Sequence, residues 1–157
     1  MGMEIRVATV DDLADLVTVQ REVHEIHVRT HPAFYRNATD ADLLEAMKSF
    51  LASEQYRAWI ATADGDPAGF LLFRLNAVPE NAFCYARNEA SVEQIGVVRR
   101  FQRQGIGRAL MSEAVRFAVS HGCAELRLTV LATNAAARPF YDALGFVDFS
   151  RRLRKAL

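Results

Sequence analysis

The stretch Val97-Val98-Arg99-Arg100-Phe101-Gln102-Arg103-Gln104-Gly105-Ile106-Gly107-Arg108 decides the fold. Residues 89–98, which lead into it, are β-rich. Residues 105–121, which lead out, carry Ile106, Leu110, Ala114, Phe117 and Ala118 at helical spacing, and Gly122 closes the run as a left-handed cap does. A strand that turns through glycines straight into a helix bares several N–H groups together. With the positive end of the helix dipole, those groups make an anion site. Arg99, Arg100, Arg103 and Arg108 favour a phosphate ligand over a neutral one. The string G-x-x-x-x-G-K-[ST] does not occur, which excludes a P-loop hydrolase. A dinucleotide fingerprint also fails, because Leu110 stands where its third glycine belongs.

Outward from this junction, Leu126, Leu128 and Val130 alternate with polar residues and predict a strand over 124–131. A short helix is expected over 134–144, ended by Gly145, and a last strand over 146–153. On the other side, 56–63 and 68–78 are β-rich runs around Asp64-Gly65-Asp66-Pro67, a hairpin signal. Residues 79–88 are polar and irregular. Ile5 and Val7 predict a short first strand, after which Asp11 or Asp12 opens a helix containing Leu13, Leu16, Val17, Val23 and Ile26. Residues 30–38, with Pro32, predict a loop. Thr39 and Asp42 have capping-box spacing, with Asp in place of the usual Glu, ahead of Leu43, Leu44, Met47, Phe50 and Leu51. This order of elements predicts an α/β chain with a mixed sheet flanked by helices.

Composition narrows the classes further. Residues 1–157 contain no repeat or linker and suit a single domain, with 51% hydrophobic and 24% charged residues. Lys plus Arg equals Asp plus Glu, 19 of each, which argues against a general nucleic-acid or membrane-surface binder. No apolar run approaches the ~20 residues of a membrane span. The first residues lack the basic-then-apolar pattern of a signal peptide, and Cys84 and Cys123 lie outside any C-x-x-C. A reduced, cytoplasmic setting is the expectation.

Two blocks carry a resemblance. Gln102-Arg103-Gln104-Gly105-Ile106-Gly107 is similar to the (Q/R)-x-x-G-x-(G/A) pattern of the GNAT superfamily, the acyl-CoA-dependent N-acetyltransferases. Asn134-Ala135-Ala136-Ala137-Arg138-Pro139-Phe140-Tyr141-Asp142-Ala143-Leu144-Gly145-Phe146 resembles the family's later N-x-x-A-x-x-F-Y-x-x-L-G-F stretch. The blocks cover residues 89 to about 149; the first half matches only in its order of elements. The resemblance implies a mostly antiparallel sheet with one parallel strand pair splayed apart, and acetyl-CoA seated in the gap. The cofactor-binding set it implies is Val97 and Val98 beside the pantetheine arm, Gln102, Arg103, Gln104, Gly105, Ile106, Gly107 and Arg108 around the pyrophosphate, and Asn134. One departure is Arg99, where family members often have Pro; this removes a rigid bend and no hydrogen-bond donor.

Acetyl transfer from a thioester to an amine has three needs. The amine must be neutral, the carbonyl oxygen needs N–H donors as it becomes negative, and the departing thiolate needs a proton. Tyr141 is the acid candidate: a phenol with a reference pKa of about 10 is a donor at neutral pH, and it aligns with the family tyrosine near the CoA sulfur. Packing beside Phe140 and Phe146 is the competing role. Glu93 is the base candidate, acting through water; alternation puts it on the face of Ile95 and Val97. An exposed carboxylate that only binds the acceptor's cation is equally consistent. Asn134 is expected to cap the short helix. An aspartate at Gly107 is expected to repel the pyrophosphate.

His31, Phe34, Tyr35 and Arg36 fall in the region that lines the acceptor site in the family. His24, His27 and His31 do not have H-E-x-x-H spacing, and no metal is expected. The acceptor is a small-molecule amine or a peptide or protein amine, with no nucleic acid or membrane partner, and a homodimer is compatible with the family. The alternative is a catalytically silent acyl-CoA-binding module, which has no need of Tyr141.

Overall fold

A computed structural model describes residues 2–157. Five strands form one sheet in chain order: β1 (Met3–Val7), β2 (Tyr56–Ala63), β3 (Asp66–Val78), β4 (Arg87–Val97) and β5 (Leu126–Leu128). The first four pair antiparallel; β4 and β5 are parallel. A parallel pair needs a crossover, and helix α3 (Ile106–Ser120) supplies it. Helices α1 (Leu13–Thr30) and α2 (Asp40–Ala52) lie between β1 and β2 in sequence, and α4 (Arg138–Asp142) follows β5.

The middle of β3, Phe70-Leu71-Leu72-Phe73, is apolar without alternation because both faces are covered. Phe70 and Leu72 pack with Leu16 and Val19 of α1 and Met47 of α2. Leu71 and Phe73 pack with Ile106, Leu110 and Met111 of α3. The sheet is therefore the middle of three layers. Asp64 (φ 53°) and Gly65 (φ 88°) are both left-handed, the geometry of a type I′ hairpin turn. The capping box at α2 forms: Asp42 accepts from the Thr39 N–H at 2.8 Å, and Thr39 Oγ1 accepts from the Asp42 N–H at 3.2 Å.

Asp12 opens α1 as expected, as its N-cap residue, although its side chain makes no cap bond there. It closes a 3-10 turn with Thr9, and its carboxylate takes Arg6 in a bidentate pair at 2.7 and 2.6 Å. Three expectations need correction. The strand expected over 124–131 is paired only at Leu126–Leu128, because β5 leaves β4 after the Val92–Leu128 pair. The segment 146–153 finds no strand partner among the described residues. It is held instead by Phe149, whose ring lies 4.8 Å from the Arg127 guanidinium, and by Arg154, whose guanidinium lies 5.4 Å from the Phe34 ring. Residues 134–137 form a turn, with the Ala137 N–H on the Asn134 carbonyl at 3.3 Å, so Ala137 rather than Asn134 is the cap residue of α4.

Candidate active site

The loop between β4 and α3 is pinned where it leaves β4. Phe101 is buried in the core, and the Glu22 carboxylate of α1 accepts the Arg99 N–H. Gln102 donates its side-chain amide to the Val97 carbonyl at 3.0 Å, and Gln104 donates to the Arg100 carbonyl at 3.2 Å. Both glutamine side chains therefore brace the loop. Arg103 (φ 63°) and Gly105 (φ 86°) are left-handed, two residues apart. Such a sequence of turns folds consecutive N–H groups toward one side as a concave nest. From Arg103 to Arg108, no N–H has an acceptor among the described residues; the first bond of the helix ladder is from the Ala109 N–H to the Gly105 carbonyl at 3.0 Å. Four of these N–H groups are the orphan donors that open any helix. Arg100 is engaged elsewhere, with Asp66 at 2.8 Å, whereas Arg103 and Arg108 are exposed and have no carboxylate partner among the described residues.

The strand leading into this loop has an open edge. The Val98 N–H donates to the Ala68 carbonyl at 2.9 Å. Backbone directions alternate along a strand, so Val97 turns its N–H and carbonyl the other way, to the side β5 has left. The bond from Gln102 to the Val97 carbonyl comes from that side.

Glu93 sits at a bulge. Leu72 pairs with Gln94 and Phe73 with Val92, which leaves Glu93 without a partner on β3. The extra residue reverses the alternation. Ala90 and Val92 before it, and Ile95 and Val97 after it, all face the α3 layer. Glu93 consequently lies on the α1 face with Ser91, whose hydroxyl donates to it, and not with Ile95 and Val97 as simple alternation predicts. The signal was present in the sequence: the apolar positions change from even to odd numbers across Glu93.

Helix α4 reaches the loop through Phe140. A Cβ on Gly107 would stand 3.2 Å from Cζ of Phe140 and 3.8 Å from Cγ2 of Val97. The side-chain direction of Gly107 is thus occupied by protein, and an aspartate there would press on Phe140 instead of projecting its charge at a phosphate. Tyr141 follows, half-buried between the rings of Phe140 (centroids 5.2 Å apart) and Phe146 (5.8 Å). Burial raises its pKa above the ordinary phenol value, so it holds its proton at neutral pH.

A second group of residues lies between α1 and α2. The rings of His24, His27 and His31 surround Tyr35 at centroid distances of 6.4, 5.1 and 6.5 Å. Burial is the main cause of a lowered pKa at His27, with its two histidine neighbours adding to it. His24 Nε2 is 2.8 Å from the Arg36 carbonyl. His31 Nε2 is 2.9 Å from Thr133 Oγ1, a contact spanning 102 residues that ties this loop to the turn holding Asn134. Nothing in the sequence marks Thr133. Phe34 is exposed beneath Arg154. The structure therefore brings Val97, Gly107 and the Phe140–Tyr141 pair together, and separately joins His31, with Tyr35 against its ring, to the turn before α4, while Phe34 meets Arg154.

Comparison with known proteins gives the same outline. The profile of the acetyltransferase (GNAT) family matches residues 20–146. Over 99 residues the chain is 34% identical to the ribosomal protein bS18-alanine N-acetyltransferase of Escherichia coli (strain K12), a match covering 63% of this chain and 60% of that relative. A tetramutant of a Bacillus halodurans protein has the same fold, with a TM-score of 0.91 at 20% identity over 98% of this chain and 99% of that one. An aminoglycoside N-acetyltransferase, AAC(6′)-Iy in complex with CoA, gives a TM-score of 0.79 at 21% identity, covering 99% of this chain and 95% of that one.

Proposed function

This chain belongs to the acetyltransferase (GNAT) family, and we propose that it transfers an acetyl group from acetyl-CoA to an amine by direct attack. The observation that carries the reading is the row of N–H groups from Arg103 to Arg108 set beside the open edge of β4 at Val97. The row suits a pyrophosphate, with Arg103 and Arg108 adding positive charge, and the edge suits the amide-bearing pantetheine arm lying along it like a strand. In this reading Gln102 and the side chain of Gln104 hold the loop, and backbone groups hold the cofactor. Asn134 lies in the turn that flanks the arm. Two free thiols, Cys84 and Cys123, suit a reducing, cytoplasmic compartment.

The amine nitrogen attacks the thioester carbonyl, and the developing oxyanion takes the Val97 N–H. As the C–S bond breaks, the Tyr141 hydroxyl gives its proton to the sulfur. Before the attack, Glu93 takes a proton from the incoming ammonium through water, from the α1 face of the sheet; after it, the now cationic nitrogen releases its second proton to water, and Tyr141 is reprotonated from water. His31, Phe34 and Tyr35 form the acceptor wall. The acceptors acted on by the two named acetyltransferases, a protein alanine and an aminoglycoside, are both amines.

The test is release of CoA thiol from acetyl-CoA across amine classes, in the wild type and in Tyr141→Phe. The variant keeps the ring and loses the hydroxyl. An interaction made mainly in the transition state lowers kcat and kcat/KM together. General acid catalysis is worth typically ~10²–10⁴-fold, and a thiolate leaves tolerably without help, so a fall of about 10–100-fold is expected. CoA affinity should not change. Wild-type turnover in Tyr141→Phe, with chemistry limiting, makes Tyr141 a packing residue. CoA binding with no thiol release from any amine favours the silent module.

A further inference from the structure

Beyond the choice of amine acceptor in general, we propose that the segment 149–155 selects acceptors whose amine is followed by acidic groups, that is, the free amino terminus of an acidic peptide. The inference rests on the acetyl-transfer reading above and concerns its second substrate.

The segment is Phe149-Ser150-Arg151-Arg152-Leu153-Arg154-Lys155, with four cations and no carboxylate. It is tethered at two points. Phe149 lies against Arg127 of β5, and Arg154 lies over Phe34 of the loop between α1 and α2. Leu126 and Leu128 pack toward α3, so alternation turns Arg127 to the α1 face. That is the face of Ser91 and Glu93, and Arg127 is in register with Ser91. The segment therefore runs over the side of the sheet where Glu93 lies, from β5 to the acceptor wall.

Its charge is not neutralised internally. Among the described residues, no carboxylate pairs with Arg151, Arg152, Arg154 or Lys155. Neighbouring arginines of the same face are paired: Arg127 with Glu125 and Glu89, and Arg36 with Asp42. On this face Glu89 and Glu125 are taken up by Arg127, Glu93 accepts from Ser91 and pairs with no cation among the described residues, and the four cations of the segment stand free of carboxylates. An α-ammonium placed at Glu93 brings its following residues beneath the basic segment. Acidic side chains there are attracted, and a polycationic acceptor is repelled at every other charge. Exposed pairs are individually weak, and two or three of them together amount to about tenfold in affinity.

The experiment compares the hexapeptides Ala-Glu-Asp-Glu-Tyr-Gly, Ala-Gly-Ser-Gly-Tyr-Gly and Ala-Lys-Arg-Lys-Tyr-Gly, and kanamycin, as acceptors for the full chain with acetyl-CoA. The variants are Arg154→Ala and the combined Arg151→Glu, Arg152→Glu, Arg154→Glu, Lys155→Glu. Expected is kcat/KM about tenfold higher for the acidic than for the basic peptide, carried by KM and shrinking between 0.02 and 0.3 M salt, with the neutral peptide between them. Arg154→Ala should narrow the ratio, and the charge reversal should invert it. CoA affinity should stay unchanged throughout. A basic peptide or kanamycin used as well as the acidic peptide overturns the proposal, as does a ratio that survives the charge reversal. Turnover of kanamycin alone does so while leaving acetyl transfer intact; failure to bind CoA removes the acetyl-transfer reading itself.

Discussion

Asp12 shows how one buried carboxylate can dominate an acid limb. Its side chain is 5% exposed and accepts two bonds from Arg6 and one from the Thr9 N–H at 2.8 Å. Chiefly through Arg6, these bonds hold its pKa at about 2, below the ordinary 3.8. A group with a depressed folded-state pKa stabilises the fold fully above the unfolded value, and that contribution is lost as pH falls through the folded one. The window here runs from about pH 4 down to pH 2. Arg6 is nearly half exposed, so screening reduces the contribution to on the order of 1–2 kcal/mol. Asp12→Asn should lose that amount at pH 7 and should flatten the stability profile between pH 4 and 2, as read by urea unfolding at each pH. A variant whose acid limb matches the wild type would place the pH sensitivity elsewhere. The sequence shows Asp12 near a helix start, where capping is the ordinary role. Its pairing with Arg6 depends on β1 passing close to the turn, which no local pattern records.

At the scale of elements, α4 is set by α3. Phe140 lies against Gly107, and Tyr141 is its neighbour in the same short helix. Gly107→Ala leaves Phe140 a few tenths of an ångström short of room. Overpacking costs typically ~1–3 kcal/mol, partly offset by the ~1 kcal/mol that Ala gains over Gly within a helix. Stability should therefore change by less than about 2 kcal/mol, while kcat falls more than CoA affinity as Tyr141 moves with Phe140. Adding Phe140→Leu should restore part of kcat; further loss in the double variant would sever the proposed link between the two helices. This contact explains why the motif glycine was legible and its reason was not. Its spacing marked the loop, but the partner that needs the space comes more than thirty residues later. The bulge at Glu93 is the opposite case, since the change of parity from Ala90 and Val92 to Ile95 and Val97 was written in the chain. The strand expected at 146–153 failed because alternation shows that a segment could be half-buried, not that a neighbour is there to pair with it.

Across the whole molecule, the order of elements and the antiparallel hairpins followed from local signals, because their partners are near in sequence. The contact of His31 with Thr133 did not, because its two residues stand 102 positions apart. Ligand binding should register in the same global way. CoA at a hundredfold excess over its Kd should add about 2.7 kcal/mol to stability. For a domain of this size that raises Tm by roughly 5–10 °C. Pantetheine, which lacks the pyrophosphate, should give a much smaller shift at equal concentration; equal shifts in a melting experiment would remove the loop from the binding site. The β4–β5 pair has a further consequence during synthesis. β1 to β4 can pair from contacts complete at Val97, whereas the parallel register at Ala90–Val92 waits for Leu126 to Leu128, and Tyr141 comes later still. Emergence at roughly 5–20 residues per second leaves the nascent meander alone for a few seconds, with an unpaired β4 edge that can recruit a foreign strand. A ribosome stalled before residue 126 should thus carry a protease-resistant hairpin core that aggregates readily, and the hazard should end when the crossover helix delivers β5.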